Sequence, residues 1–145
     1  EINIKNSFSD GLDVDFSNLE IDLINIFSSK NDCVDFSAGN YKLNKLNLTN
    51  CGDKGLSVGE KSFLQLNEII TNNTNIGIAS KDSSIVKLNN AHLKNLKTCV
   101  SAYNKKQEFN GGFIEMENLK CENYYKKTYT DIHSKIIEKN KIIRN

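Results

Sequence analysis

The chain has 145 residues and a nearly balanced charge, with 19 basic and 18 acidic side chains and a formal net charge of +1. This length fits one domain with a sizeable core, and the balance excludes the strong overall field that attracts nucleic acid or an anionic membrane. No apolar run approaches the ~20 residues of a transmembrane segment. Proline is absent and asparagine occurs 22 times. This composition suits strands joined by tight turns, since Asn favours turns and every backbone amide can donate a hydrogen bond.

A repeat of about 22 residues organises the chain from its start. Residues 1–18 read as the tail of a preceding copy, and copies follow without gaps at 19–40, 41–62 and 63–84. A longer fourth copy spans 85–112, a fifth spans 113–135, and Ile136 opens a partial sixth. Because Glu1 starts within a copy, we interpret the chain as a fragment of a longer one.

Apolar residues recur in columns through these copies. One column contains Leu12, Val34, Leu56, Ile78 and Val100, and Tyr129 is expected to continue it. Polar or small residues alternate with this column, which predicts a strand with one buried face. Two further alternating segments, for example those around Leu19 and Ile24, give each copy three short strands.

Three strands in each repeat predict an all-β fold, a right-handed parallel β-helix with about six coils in a single domain over residues 1–145. Each strand is expected to pair with its equivalent one coil away, at ~4.8 Å. Residues 124–145 are interpreted as the last coil with a C-terminal cap. Missing N-terminal coils or another chain are expected to cover the N-terminal edge, because unpaired strand edges promote aggregation.

One corner of the coil is rich in asparagine. It contains Asn6, Ser28, Asn50, Asn72, Asn95 and Asn123. Stacked amides can bond one another, so an asparagine ladder is expected, above all between Asn50 and Asn72. The alternative is that Asn occupies these turns only because its backbone tolerates them.

Coil length, apolar columns and the Asn corner together resemble the right-handed parallel β-helix of the pectate-lyase-like superfamily, over nearly the whole chain. The cleanest copies read NCGDKGLSVGEKS and NIGIASKDSS. The resemblance implies a polysaccharide lyase, hydrolase or epimerase if the chain is an enzyme. In the lyases and epimerases of this architecture a Lys or Arg serves as base, often with Ca²⁺ held by carboxylates. No residue of this chain matches a catalytic position, so the resemblance predicts the fold more than the function.

The candidate site lies beside the surplus residues of the fourth copy, which fall around residues 103–112. Outward-facing Ser57, Ala79 and Ser101 are expected to form a smooth face bordered by charged and aromatic side chains. Tyr103 is expected to stack on a sugar ring while lysines contact carboxylates or sulfates. The alternative is an ordinary exposed loop. The candidate ligand-binding residues are Lys54, Lys81, Asp82, Tyr103, Lys105 and Lys106.

Histidine, aspartate and cysteine residues give weaker signals. His92 is expected to face outward, and no cofactor is predicted apart from Ca²⁺ at an aspartate cluster, for which solvated surface is the alternative. The cysteines lack metal-ligand spacing and are predicted to be packed, free thiols. The aspartates are Asp13, Asp15 and Asp35, and the cysteines are Cys33, Cys51, Cys99 and Cys121.

Two functions remain open at the level of sequence. The first is a polysaccharide-binding or polysaccharide-processing module of a secreted or envelope-associated bacterial protein, located outside the cell or in the envelope. The second is a non-catalytic structural or interaction segment of a larger surface protein.

Overall fold

A computed structural model describes residues 1–143, which form a stack of coils made of strands and turns. The strands of this part of the chain are β1 (Ile2–Ser7), β2 (Leu12–Asp15), β3 (Asn18–Ser29), β4 (Val34–Ser37), β5 (Asn40–Cys51), β6 (Lys54–Gly59), β7 (Phe63–Lys81), β8 (Ile85–Tyr103), β9 (Phe113–Thr130), β10 (Lys135–Glu138) and β11 (Lys141–Ile143). We number the coils 1 (residues 1–17), 2 (18–39), 3 (40–62), 4 (63–84), 5 (85–112) and 6 (113–134).

Equivalent strands of successive coils pair in parallel, which confirms the predicted all-β solenoid of about six turns. Each coil has three faces. Face A contains residues equivalent to 18–21, face B those equivalent to 23–27, and face C is formed by β2, β4 and β6 and by the last residues of β7, β8 and β9. In coils 4 to 6 the strand bends around the corner between faces B and C without a break.

Apolar side chains fill the interior of the solenoid in stacked columns. Leu12 pairs with Val34, and the column continues through Leu56, Ile78 and Val100, as the sequence predicts. The four last members of this column are fully buried. The Tyr41 ring stacks on Phe36 at 4.2 Å between ring centroids, and its hydroxyl donates to the Ser37 carbonyl.

The predicted asparagine ladder is present, with one residue corrected. The Asn73 side chain, and not that of Asn72, donates to Asn50 Oδ1 at 2.8 Å. Asn95 donates to Asn72 Oδ1, and Asn123 donates to Asn95 Oδ1. Asn73 occupies the corner position of its coil. Its φ of 60° is positive, like the φ of the equivalent residues Asn50 and Asn95.

The repeat register differs from the sequence alignment at two places. Tyr41 pairs with Leu64, so Phe63 lies one position earlier than predicted, because coil 3 has an extra residue in its turn before Phe63. Val100 pairs with Thr128, which is 5 % exposed, so Tyr129 does not continue the inward column. Tyr129 instead pairs with Ser101 on the outer side.

The prediction of free thiols is wrong, because the structure pairs all four cysteines. Cys33 bonds to Cys51 and Cys99 bonds to Cys121, with Cα–Cα distances of 5.3 and 6.4 Å. Cys33 lies at the start of face C in coil 2, and Cys51 lies at the end of face B in coil 3. The corner between these faces therefore brings them together, although they occupy different columns.

The two ends of the described chain differ. At the C-terminal end, β11 turns back and pairs antiparallel with β10. Residues 144–145, the last of the predicted cap, lie outside the described residues. At the other end, β1 pairs with β3 and β2 pairs with β4. The covering of the N-terminal edge by further coils or another chain stays a prediction.

Candidate functional site

The candidate site residues lie on the outer side of face C and in the loop that follows it in coil 5. Ser57 pairs with Ala79 and Ala79 with Ser101, so these small residues form one outward column, as predicted. Tyr129 continues this column. The insertion in the fourth copy is confined to residues 104–112, because β8 and β9 keep one constant register throughout.

The floor of this face is covered and not open as expected. Ser57 and Ala79 have no exposed surface, and Ser101 is 2 % exposed. Lys81 contributes to the cover, because it extends from coil 4 past Gly59 of coil 3. A Cβ atom at position 59 would lie 3.2 Å from the Lys81 Cε atom, so glycine leaves room for the lysine. The Lys81 Nζ atom ends 3.9 Å from Asp35 Oδ1 in coil 2.

Burial shapes the chemistry of Lys81. Its side chain is 8 % exposed, and this burial lowers the pKa of its ammonium group, against the opposing charge of Asp35. Beneath it, Ser57 Oγ and Asp35 Oδ1 are buried without a hydrogen-bond partner among the described residues. Lys81 therefore closes a polar recess and does not extend into solvent.

Lys54 is also held inside the protein by carboxylates. Its Nζ atom lies 2.5 Å from Asp53 Oδ2 and 3.3 Å from Asp32 Oδ1. Burial opposes the charge of Lys54, but the hydrogen bond to Asp53 and the charges of both aspartates raise its pKa. Burial raises the pKa of Asp32, against the charge of Lys54. Lys54 and Lys81 thus stabilise face C internally and are not free to meet an anion.

Asp82 organises the loop of the insertion. It is 1 % exposed, and its Oδ1 atom accepts the backbone N–H groups of Lys105 and Lys106 at 2.7 and 2.8 Å. Asp131 of coil 6 accepts the N–H of Asn104 at 2.6 Å, and the Asn104 side chain donates to loop carbonyls, including that of Phe109. The loop is therefore fixed by hydrogen bonds to the coils below and above it.

The exposed part of the site is a rim of aromatic and basic side chains, which we call the aromatic–basic rim. Its members are Tyr103, Lys105, Lys126 and Tyr129. The two rings meet edge to face with centroids 6.3 Å apart, and Lys126 Nζ lies 4.9 Å from the centroid of the Tyr129 ring. Lys105 is exposed and has no ion-pair partner among residues 1–143.

Tyr103 and Lys106 have different roles at this rim. The Tyr103 side chain is half-buried, and this burial raises the pKa of its phenol against the charge of Lys54, so the hydroxyl stays protonated. Lys106 forms an ion pair with Glu60 across the coils. Of the six residues proposed from sequence, half-buried Tyr103 and exposed Lys105 therefore belong to the rim, and Lys106 is paired with Glu60. The other three are buried: Lys54, Lys81 and Asp82.

Sequence reasoning missed Lys126 and Tyr129. Coil 6 follows coil 5 at one constant offset, and this offset pairs Val100 with Thr128 inside and Ser101 with Tyr129 outside. A strict count from Val100 would have found this arrangement, but tyrosine is the more apolar residue and was assigned to the interior.

The aspartates at the other end of face C lie in neighbouring coils, with Asp13 paired to Asp35. Burial and the nearby charges of Asp15 and Asp35 raise the pKa of Asp13. In the part of the chain that the structure describes, no three His, Cys, Asp or Glu side chains converge to hold a metal ion.

His92 faces outward, as predicted, while its neighbours Ala91 and Leu93 are buried. Its Nε2 atom lies 2.5 Å from Glu122 Oε2, and this hydrogen bond lowers the pKa of the Glu122 carboxyl. The pair is on face B, away from the aromatic–basic rim.

Comparisons with known proteins leave the family open: no protein-family model, curated protein or solved structure matches this chain. Within residues 1–143 there is also no helix long and apolar enough to cross a membrane.

Proposed function

We propose that the chain is a polysaccharide-binding module of a secreted or envelope-associated bacterial protein, with the architecture of the pectate-lyase-like β-helix. The observation that carries the proposal is the aromatic–basic rim. Tyrosine presents a rigid, amphipathic ring on which a sugar can stack, and Lys105 and Lys126 flank the rings with charge. This combination favours a chain of sugars that carry carboxylate or sulfate groups.

The position of the rim suits an extended ligand. Tyr103 and Tyr129 belong to neighbouring coils and their ring centroids are 6.3 Å apart, so the rim crosses from one coil to the next. A polymer lying on it would contact the rings in succession while its anionic groups accept charge-assisted hydrogen bonds from lysine.

The disulfides support the proposed location. Disulfides persist in oxidising compartments, such as the extracellular space and the bacterial envelope. The bonds Cys33–Cys51 and Cys99–Cys121 therefore favour a protein that works outside the cytoplasm.

Binding is proposed here without catalysis. A lysine that acts as a general base must remove a proton from a sugar carbon, and this transfer needs close contact between the lysine and the sugar. Lys81 has a lowered pKa, but the residue is only 6 % exposed and its Nζ atom faces Asp35. It is therefore not placed to contact a sugar on the surface.

The test compares matched variants in binding to polygalacturonate, alginate and heparin. Lys105→Ala should weaken binding about tenfold or more, because a charge-assisted hydrogen bond contributes ~1.5–3 kcal/mol. Lys94→Ala is the control, since it removes the same charge from an exposed residue of face B. Tyr129→Ala should weaken binding as well, by loss of the stacking ring.

Two results would contradict the proposal. If the wild-type protein binds none of the three polymers, or if Lys94→Ala weakens binding as much as Lys105→Ala, the rim is not a specific site. The structural or interaction segment would then be the better interpretation.

A further inference from the structure

A groove runs along the corner between faces B and C, on a part of the surface that the proposed function does not use. It extends through coils 3 to 6 and has a volume of about 710 Å³. The lining includes Gly52, Asn75, Lys97, Asn123, Tyr124 and Tyr125. It shares no residue with the aromatic–basic rim.

One wall of the groove is the asparagine ladder. Asn73 and Asn123 are exposed, and each uses its amide N–H₂ group to bond the asparagine of the preceding coil. A carboxamide oxygen has two lone pairs, so a wall of stacked amides offers neutral acceptors at each coil. Asn75 adds another amide, whose Nδ2 atom donates to the Gly52 carbonyl.

The floor and one end of the groove are apolar. Leu96 lines it in coil 5, and Tyr124 follows in coil 6 with 43 % of its surface exposed. Tyr125 is 92 % exposed, so its ring is accessible to a ligand. At the opposite end, Gly52 packs closely against the backbone of Lys30, where a side chain would not fit.

The side chains that line the groove repeat once in each coil. Thr98 pairs with Lys126 and with Ile76, so Asn75, Lys97 and Tyr125 precede equivalent positions of three successive coils. Successive groups are thus ~4.8 Å apart along the axis. Lys97 is the only charged side chain among the groove's lining residues.

We propose that this groove is a second binding site, for a neutral, hydroxyl-rich sugar chain. Sugar hydroxyls can both donate to and accept from the amide ladder, and the Tyr125 ring presents a stacking surface at the end of the groove. A strongly anionic polymer would have one lysine here to meet its charges, so the groove favours a neutral chain. The proposal does not depend on the function of the aromatic–basic rim.

The experiment measures the binding of soluble hexasaccharides of cellulose, mannan and chitin by calorimetry. Wild-type protein should bind at least one of them, and Tyr125→Ala should weaken that binding about tenfold, the ratio that corresponds to ~1.4 kcal/mol. Tyr125→Phe should bind like the wild type, because it keeps the ring and removes the hydroxyl. Since Tyr125 is nearly fully exposed, neither variant should disturb folding, and thermal melting checks this.

Phe8→Ala is the matched control, since it removes an exposed aromatic ring that belongs to neither the groove nor the aromatic–basic rim. It should leave hexasaccharide binding unchanged. The proposal is overturned if wild-type protein binds none of the three hexasaccharides, if Tyr125→Ala binds as tightly as wild type, or if Phe8→Ala loses binding to the same extent. If the protein binds no anionic polymer, the proposed function of the aromatic–basic rim fails, whereas only the hexasaccharide results test the groove. The two failures are therefore distinguishable.

Discussion

Residues with a left-handed backbone shape both corners that flank face C. At the corner between faces B and C, asparagine holds a positive φ in five of the six coils, and Ser28 holds it in coil 2. At the corner after face C, the same conformation is adopted by residues as different as Phe16, Ala38 and Asp82. The first corner selects asparagine because its amide also bonds along the ladder, whereas the second corner accepts residues of several types.

Asn95 allows these two contributions to be separated. It has φ of 59°, donates to Asn72 and accepts from Asn123. Asn95→Ala should lower the free energy of unfolding by about 2–3 kcal/mol, from lost hydrogen bonds and from the ~1–2 kcal/mol cost of a left-handed alanine. Asn95→Gly should lower it less, because glycine tolerates the backbone. Urea denaturation of both variants measures the difference.

Asn67 provides the control for this comparison. It lies in the interior of another amide ladder, donating to Asn44 and accepting from Asn89, but it has no positive φ. Asn67→Ala should therefore cost less than Asn95→Ala. Equal losses for the alanine and glycine variants of Asn95 would show that the left-handed backbone contributes nothing.

At the scale of strands, the sequence period predicts the three faces because buried and exposed residues alternate along each strand. The prediction failed where chemistry and geometry disagree. Thr128 is a polar residue in an inward column, while its apolar neighbour Tyr129 points outward. The covered floor of face C could not be predicted either, because it depends on Lys81 extending across two coils to Asp35.

The buried carboxylate of Asp32, next to the start of face C, makes stability depend on pH. Burial raises the pKa of Asp32 above its usual value of 3.8, so ionisation is harder in the folded than in the unfolded chain. The folded state then holds its proton more tightly, and the contribution of Asp32 to stability falls as pH rises from 3.8 through its folded pKa. Asp32→Asn should remove this loss, so its stability relative to wild type should increase with pH across that window.

Urea denaturation at several pH values between acid and neutral tests this expectation. Asp22→Asn is the control, because Asp22 is an exposed carboxylate of the same coil. A stability difference between Asp32→Asn and wild type that stays constant or falls as pH rises would contradict the assigned direction. The carboxamide oxygen introduced by Asp32→Asn can still accept the backbone N–H of Lys54, so the hydrogen bond made by Asp32 Oδ1 is preserved.

At the scale of the molecule, two disulfides join neighbouring coils near either end of the described stack. Cys33–Cys51 links coil 2 to coil 3, and Cys99–Cys121 links coil 5 to coil 6. Cys33 and Cys99 share a column but lie three coils apart, so a pairing sought within one column finds no bond. The pairing runs instead across a corner, which the spacing of 18 or 22 residues does not reveal without the coil geometry.

The disulfides predict a large loss of stability on reduction. In the loop-entropy description, a crosslink closing a loop of this size stabilises the fold by about 3 kcal/mol, because it restricts the unfolded chain. Cys33→Ala with Cys51→Ala, and separately Cys99→Ala with Cys121→Ala, should each shift the urea midpoint downward. Reductant should lower the midpoint of wild type further than that of either double variant, since each variant has already lost one bond.

Protein secreted into an oxidising medium should show no reactive thiol when unfolded without reductant. Four reactive thiols under those conditions, or a midpoint that reductant does not change, would contradict the pairing and weaken the argument for an extracellular location.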